Sequence, residues 1–128
     1  MTKKRLLRPE RLRRVPPHFS WLDHRLVREC RLAHCETPAL ALYLILVTVA
    51  DAQGLSYYST ASLARLTHLT QEQVCTARQQ LIQADLIAFD PPLYQVLDLE
   101  SQPVSQRASQ TRSAGEILRH LLAGGSND

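Results

Sequence analysis

The stretch Ser59-Thr60-Ala61-Ser62-Leu63-Ala64-Arg65-Leu66-Thr67-His68-Leu69-Thr70-Gln71-Glu72-Gln73-Val74-Cys75-Thr76-Ala77-Arg78-Gln79-Gln80-Leu81 decides the fold. It reads as two capped helices joined by a short turn. Ser59 or Thr60 caps a brief helix over Ala61–Leu66, because a hydroxyl oxygen can accept from an otherwise unpaired first-turn N–H. Thr67-His68-Leu69 makes the turn. Thr70 and Gln73 then form a capping box, in which each side chain satisfies the other's backbone donor. The second helix runs from Gln71 to about Ala84. Leu63, Leu66, Val74, Ala77 and Leu81 recur at helical spacing and are expected to fill the angle between the helices. Small Ala64 permits their close approach. With Val74 and Leu81 at the buried centre, Glu72, Gln73, Thr76, Gln79, Gln80 and Gln83 point away, and Arg78 lies near the buried side.

Working outward toward the C-terminus, Leu86-Ile87-Ala88-Phe89 predicts a strand, Asp90-Pro91-Pro92 a turn, and Leu93 to Leu99 a second, half-buried strand by its alternation. Toward the N-terminus, Leu55 to Tyr58 is a short strand, with one of Tyr57 and Tyr58 facing the core. Gly54 suits a left-handed stop. Ala39 to Ala50 is apolar all round, so it is a central post of the core or a subunit interface. Thr37 caps this helix, with Pro38 at its first position. Ser20 to Ala33 reads as an amphipathic helix capped by Ser20, with Asp23 at its positive end and Trp21 as an apolar anchor.

The order helix, strand, short helix, turn, capped helix, strand, turn, strand resembles the winged helix-turn-helix superfamily of bacterial DNA-binding proteins. Ser59 to Thr67 matches the first helix of that motif, and Leu69 to Leu81 its recognition helix. Ala84-Asp85-Leu86-Ile87 matches the passage into the wing. Many members place glycine where Asp85 stands, and Asp tolerates the left-handed backbone better than most residues. The resemblance covers about 45 residues, plus Ala39 to Ala50 as the preceding helix. It implies a mainly α fold with a small β-hairpin wing, and double-stranded DNA as the partner.

In that setting Thr70, Gln71, Gln73, Thr76, Gln79 and Gln80 form the candidate readout face, with Arg65 and His68 beside it. A recognition helix meets base edges near its N-terminus, and Gln can pair bidentately with adenine in the major groove. The competing reading is a solvated face on a good helix former. Winged helices of this kind serve transcriptional regulation, replication and mobile elements. Some bind proteins, so an interaction module in a nucleic-acid-processing complex is the alternative.

Charge is segregated along the 128 residues, whose net charge is +3. Residues 1–14 hold Lys3, Lys4, Arg5, Arg8, Arg11, Arg13 and Arg14 against Glu10, a net +6. Residues 37–100 hold Arg65 and Arg78 against six acidic residues, a net −4. Phosphate neutralisation supplies most non-specific affinity for DNA. The basic arm is therefore the expected source of grip, and Pro16-Pro17 hold its end extended. The resulting division is a basic arm over 1–17, the helix-turn-helix domain with its preceding helices over 18–100, a linker over 101–112, and a short C-terminal helix and tail over 113–128. Ile117, Leu118, Leu121 and Leu122 give that last helix an apolar face. Together with the apolar helix before Gly54 it suggests a homodimer.

Three cysteines make no disulfide framework, which fits a reducing cytoplasm. Cys30, His34 and Cys35 could imitate a metal site, Cys30 and His34 being one helical turn apart, but the fourth ligand is undefined. No nucleophile motif, glycine-rich loop or carboxylate pair marks an enzyme, and no cofactor is expected. The run Ala39 to Ala50 is too short for a bilayer, which takes roughly 20 residues.

Overall fold

Leu42, Leu46, Leu63, Val74, Leu81, Leu86, Ile87 and Tyr94 are the large side chains removed from solvent, and the elements are arranged to enclose them. The computed structural model describes residues 3–100; the expected linker and C-terminal helix lie outside them. The elements are α1 (Arg25–Arg28), α2 (Thr37–Val49), β1 (Leu55–Tyr57), α3 (Thr60–Thr67), α4 (Gln71–Gln83), β2 (Ile87–Asp90) and β3 (Leu93–Val96). The fold is thus mixed: four helices with a small three-stranded antiparallel sheet in the order β1-β3-β2. Ser56 pairs with Tyr94 and Phe89 with Tyr94, so β3 is the central strand. Helices α2, α3 and α4 pack on one another, and α2 and α4 also pack on this sheet.

The capping expectations hold at α4 and α3. Gln73 N donates to Thr70 Oγ1 (3.0 Å) while Thr70 N donates to Gln73 Oε1 (2.9 Å). At α3 the cap is Ser59, whose Oγ accepts from Ser62 N (3.1 Å). Three helices then end on residues in the left-handed region: Cys30 (φ 53°), His68 (φ 61°) and Asp85 (φ 63°). In each case the next residue's N–H reaches five residues back: Arg31 to Leu26 O, Leu69 to Ala64 O, and Leu86 to Leu81 O. These 6→1 bonds satisfy carbonyls that the helix end leaves open. Asp85 thus does here what glycine commonly does. Gly54 is also left-handed (φ 86°), and a Cβ at that position would lie 2.6 Å from Val96 O. Only glycine lets β1 enter beside β3 so closely.

Four expectations are corrected. The helix over Ser20 to Ala33 shrinks to Arg25–Arg28, because Cys30 turns left-handed and closes the chain after one turn. Its start is set by Asp23, whose Oδ1 accepts from Arg25 N (2.8 Å), while Ser20 Oγ donates to Thr48 O at the far end of α2 (3.4 Å). Thr37 lies inside α2, whose N-cap is Glu36 without a side-chain cap bond. Trp21 is 71% exposed, at the rim of a cleft with Phe19 and Val47, and is not a buried anchor. Leu66 is 48% exposed, since α3 and α4 meet over Leu63, Ala64, Val74 and Ala77 instead.

The remaining differences are small. β2 is shifted by one residue and β3 stops at Val96, after which Leu97 N donates to Leu86 O (3.0 Å) and Leu99 returns to the core. Tyr58 is the half-buried member of the tyrosine pair and Tyr57 is exposed.

Candidate nucleic-acid interface

The outward stripe of α4 follows from its buried one. Val74, Ala77 and Leu81 face the core; Glu72, Thr76, Gln79 and Gln83, a half-turn away, are exposed. Gln71, at the first position of the helix, is exposed as well. The positive helix end favours the Glu72 carboxylate, so this stripe is polar but carries no surplus of positive charge.

The structure sorts the candidate residues into free and committed groups. Thr70 and Gln73 spend their side-chain oxygens on the capping box. Gln80 is committed to α2: its Oε1 accepts from Glu36 N (2.8 Å) and its Nε2 donates to Glu36 Oε1 (2.9 Å). This amide clamp replaces the missing side-chain cap of α2. Gln80 is therefore corrected from the readout face to a tertiary contact. Gln71, Thr76 and Gln79 stay on the exposed surface. Arg65, at the end of α3, is exposed with Nη2 donating to Ser62 Oγ (3.3 Å). His68 is exposed in the left-handed turn between the helices.

Arg78 is the basic residue within α4, and the body consumes it. Its Nε donates to the Tyr94 hydroxyl (2.9 Å) and its Nη2 to Thr60 Oγ1 (2.8 Å). Its guanidinium carbon lies 4.3 Å from the centre of the Phe89 ring, which in turn stacks at 4.4 Å on Tyr94. One planar fork thus joins α4, the start of α3 and both strands of the hairpin, a geometry Lys cannot reproduce. Burial pushes the Tyr94 hydroxyl up, and the Arg78 hydrogen bond partly offsets this. The sequence placed Arg78 near the buried side; its partners Thr60 and Tyr94, 18 and 16 residues away, carry no local signal.

Where the outward stripe borders α2, a shallow cleft of about 350 Å³ is rimmed by Glu36 and Glu72. Two carboxylates there repel phosphate. The hairpin tip, Asp90-Pro91-Pro92, is exposed and also lacks a cation.

The arm is different. Lys3, Lys4, Arg5, Arg8, Arg11, Arg13 and Arg14 are all exposed. A short 3-10 turn, Pro9–Arg11, interrupts it. Arg8 Nε contacts Glu10 Oε2 at 3.0 Å. Glu10 is held below the ordinary carboxylate range, first by its own backbone N–H and then by Arg8. So exposed a pair stabilises little and can be exchanged for phosphate. Nearer the body, Asp23 is held low by the side chain and then the backbone N–H of Arg25.

Cys30, Cys35 and Cys75 are free thiols. With the helix ending at Arg28, Cys30 and His34 do not share a helical face. Among the described residues no group of three or more His, Cys, Asp or Glu side chains could hold a metal ion. Among them, too, no helix is long and apolar enough to cross a membrane. Compared with protein-family models, with curated proteins and with solved structures, the chain matches none.

Proposed function

We propose that this protein binds double-stranded DNA as a winged helix-turn-helix with a basic N-terminal arm, acting in the cytoplasm as a transcriptional regulator or as an accessory factor of replication or of a mobile element. It is a binding protein and not an enzyme. In this reading α3 and α4 are the helix-turn-helix, β2 and β3 the wing, and α4 enters the major groove. The element order and the sheet order β1-β3-β2 support the winged-helix assignment. The observation that carries the function is the exposure of all seven basic arm residues ahead of a body whose charge is negative. The arm grips phosphates, and Gln71, Thr76 and Gln79 meet base edges.

The test is duplex binding by the full chain, followed by fluorescence anisotropy across salt concentrations. Salt-sensitive binding is expected, with preference among duplexes that weakens in Gln79→Ala. Absence of any salt-sensitive binding with the arm intact sinks the proposal and leaves the interaction module as the better reading.

A further inference from the structure

A cleft of about 420 Å³ opens where the chain before α1, the end of α2, the turn before β1 and the tail of β3 come together. Its volume falls within the roughly 300–1,000 Å³ of small-molecule sites. Two hydrogen bonds fix its walls. Ser20 Oγ donates to Thr48 O (3.4 Å), which lays Phe19 to Trp21 against the end of α2. Val96 N donates to Gly54 O (2.8 Å), which ties the turn to β3. Val47 and Leu99 contribute apolar surface, while Phe19 (62% exposed) and Trp21 (71% exposed) leave most of their rings in water.

The charge around the cleft is of one sign. Asp23, Asp51 and Asp98 line it, and no basic residue stands among the described lining residues. Asp23 is closed on Arg25, whose Nη2 lies 2.8 Å from Oδ2. Asp51 gives Oδ1 to the N–H groups of Gln53 (2.8 Å) and Leu55 (2.9 Å), which leaves its charge in place. Asp98 is exposed and forms no hydrogen bond among the described residues. Helix α2 adds its negative end: its last turn carries no basic residue, and Val47 and the C-cap Ala50 line the cleft.

Tyr43 is the side chain that the fold leaves unanswered here. It is more than nine-tenths buried (8% exposed), lines the cleft, and its hydroxyl has no hydrogen-bond partner among the described residues. Burying a hydroxyl without a partner is costly, and a ligand N–H would supply one. Burial, and then the Asp23 charge, push this hydroxyl above its ordinary range, so it stays a neutral acceptor. An aromatic face attracts a cation through the ring quadrupole. Two carboxylates not neutralised by a base, in a partly enclosed cleft, attract it further.

We propose that this cleft binds a small organic cation, an ammonium or guanidinium-like group on an apolar body. Asp98 and Asp51 hold the charge, the Tyr43 hydroxyl accepts from a ligand N–H, and Phe19 and Trp21 cover the apolar body. The site shares no residue with the duplex interface.

Benzamidine, a planar amidinium on a phenyl ring, is the probe, and benzamide is its uncharged counterpart. The chain holds a single tryptophan, so the Trp21 indole N–H gives one assignable signal in a proton–nitrogen correlation spectrum of the full chain. Saturable shifts with benzamidine are expected at this indole and at the Gly54 and Asp98 amides, with the Gln79 amide unmoved. Benzamide should bind about tenfold more weakly. Asp98→Asn, at an exposed position, should weaken benzamidine binding about tenfold at an unchanged melting temperature, and Tyr43→Phe about threefold or more. Equal affinity for benzamide overturns the proposal, as do shifts centred on α4 or full affinity in Asp98→Asn. Absence of saturable shifts in the wild-type chain also overturns it. Their recovery when the seven basic arm residues are replaced by Gln would then assign the cleft to the chain's own arm.

Discussion

Residues 3–19 and the α3–α4 pair differ in almost every physical respect. The arm is exposed throughout and carries seven cations, one of them paired at the surface with Glu10. The helix pair is capped at both starts, closed by left-handed residues at both ends, and packed on a shared core. Its basic residue Arg78 is taken up by Tyr94, Thr60 and Phe89, and one of its glutamines by Glu36. The lesson is that polar residue type alone does not mark a binding face. In the body, polar groups at the helix edges are consumed by the fold, and only the outward stripe is left to meet a partner. In the arm, among the described residues, only Arg8 is engaged, by Glu10, and the other six cations stand exposed among apolar side chains such as Leu7 and Val15.

The largest expected effect comes from the arm. Replacing Lys3, Lys4, Arg5, Arg8, Arg11, Arg13 and Arg14 by Gln should weaken duplex binding about 10³-fold at low salt, with the melting temperature unchanged. A fall in thermal stability of similar scale would break the comparison, since it would make the arm part of the fold.

Arg78→Ala should do the reverse. It removes the hydrogen bonds to Tyr94, Thr60 and Cys75 and the cation–π contacts with Phe89 and Tyr94, and leaves the buried Tyr94 hydroxyl without its donor. A loss of about 3 kcal/mol in denaturant unfolding is expected, with Arg78→Lys recovering only part of it. If Arg78→Ala instead weakens DNA binding at full stability, the guanidinium belongs to the interface.

Gly54→Ala damages the body away from the helix pair. Its Cβ would meet Val96 O in a left-handed backbone, and roughly 2 kcal/mol of destabilisation should follow. Affinity of the folded fraction for DNA should be unaltered.

The smallest effects separate neighbouring glutamines. Gln80→Ala should cost about 1 kcal/mol of stability through the lost Glu36 clamp and leave duplex preference intact. Gln79→Ala should leave stability intact and reduce preference among duplexes by roughly 1–3 kcal/mol. An exchange of these two outcomes would reverse the division of the α4 surface.

Much of this division is legible in the chain. The Thr70–Gln73 box, the stripe Val74, Ala77, Leu81 and the left-handed Asp85 follow from local rules, because each involves residues within a few positions of one another; Gly54 is left-handed as expected, but in the turn before β1, since α2 already ends at Val49 on an extended Ala50. The failures share a cause. The spacing of Leu22, Leu26 and Ala33 suits a helix, but Cys30 adopts a left-handed turn that no residue type advertises. Leu66 fits the helical stripe, yet a tighter approach over Ala64 leaves it in water. Gln80 and Gln79 are the same residue at adjacent positions, and only the arrival of Glu36, 44 residues earlier in the chain, tells them apart.

The most direct measurement is the salt dependence of duplex binding, compared between the full chain and the arm-neutralised chain. With about six phosphates neutralised by the arm, log K should fall against log salt with a slope of about −5 for the full chain. The slope should flatten to about −1 when the arm is neutralised. An unchanged slope in the neutralised chain would contradict the assignment of grip to the arm and return that role to the helix pair.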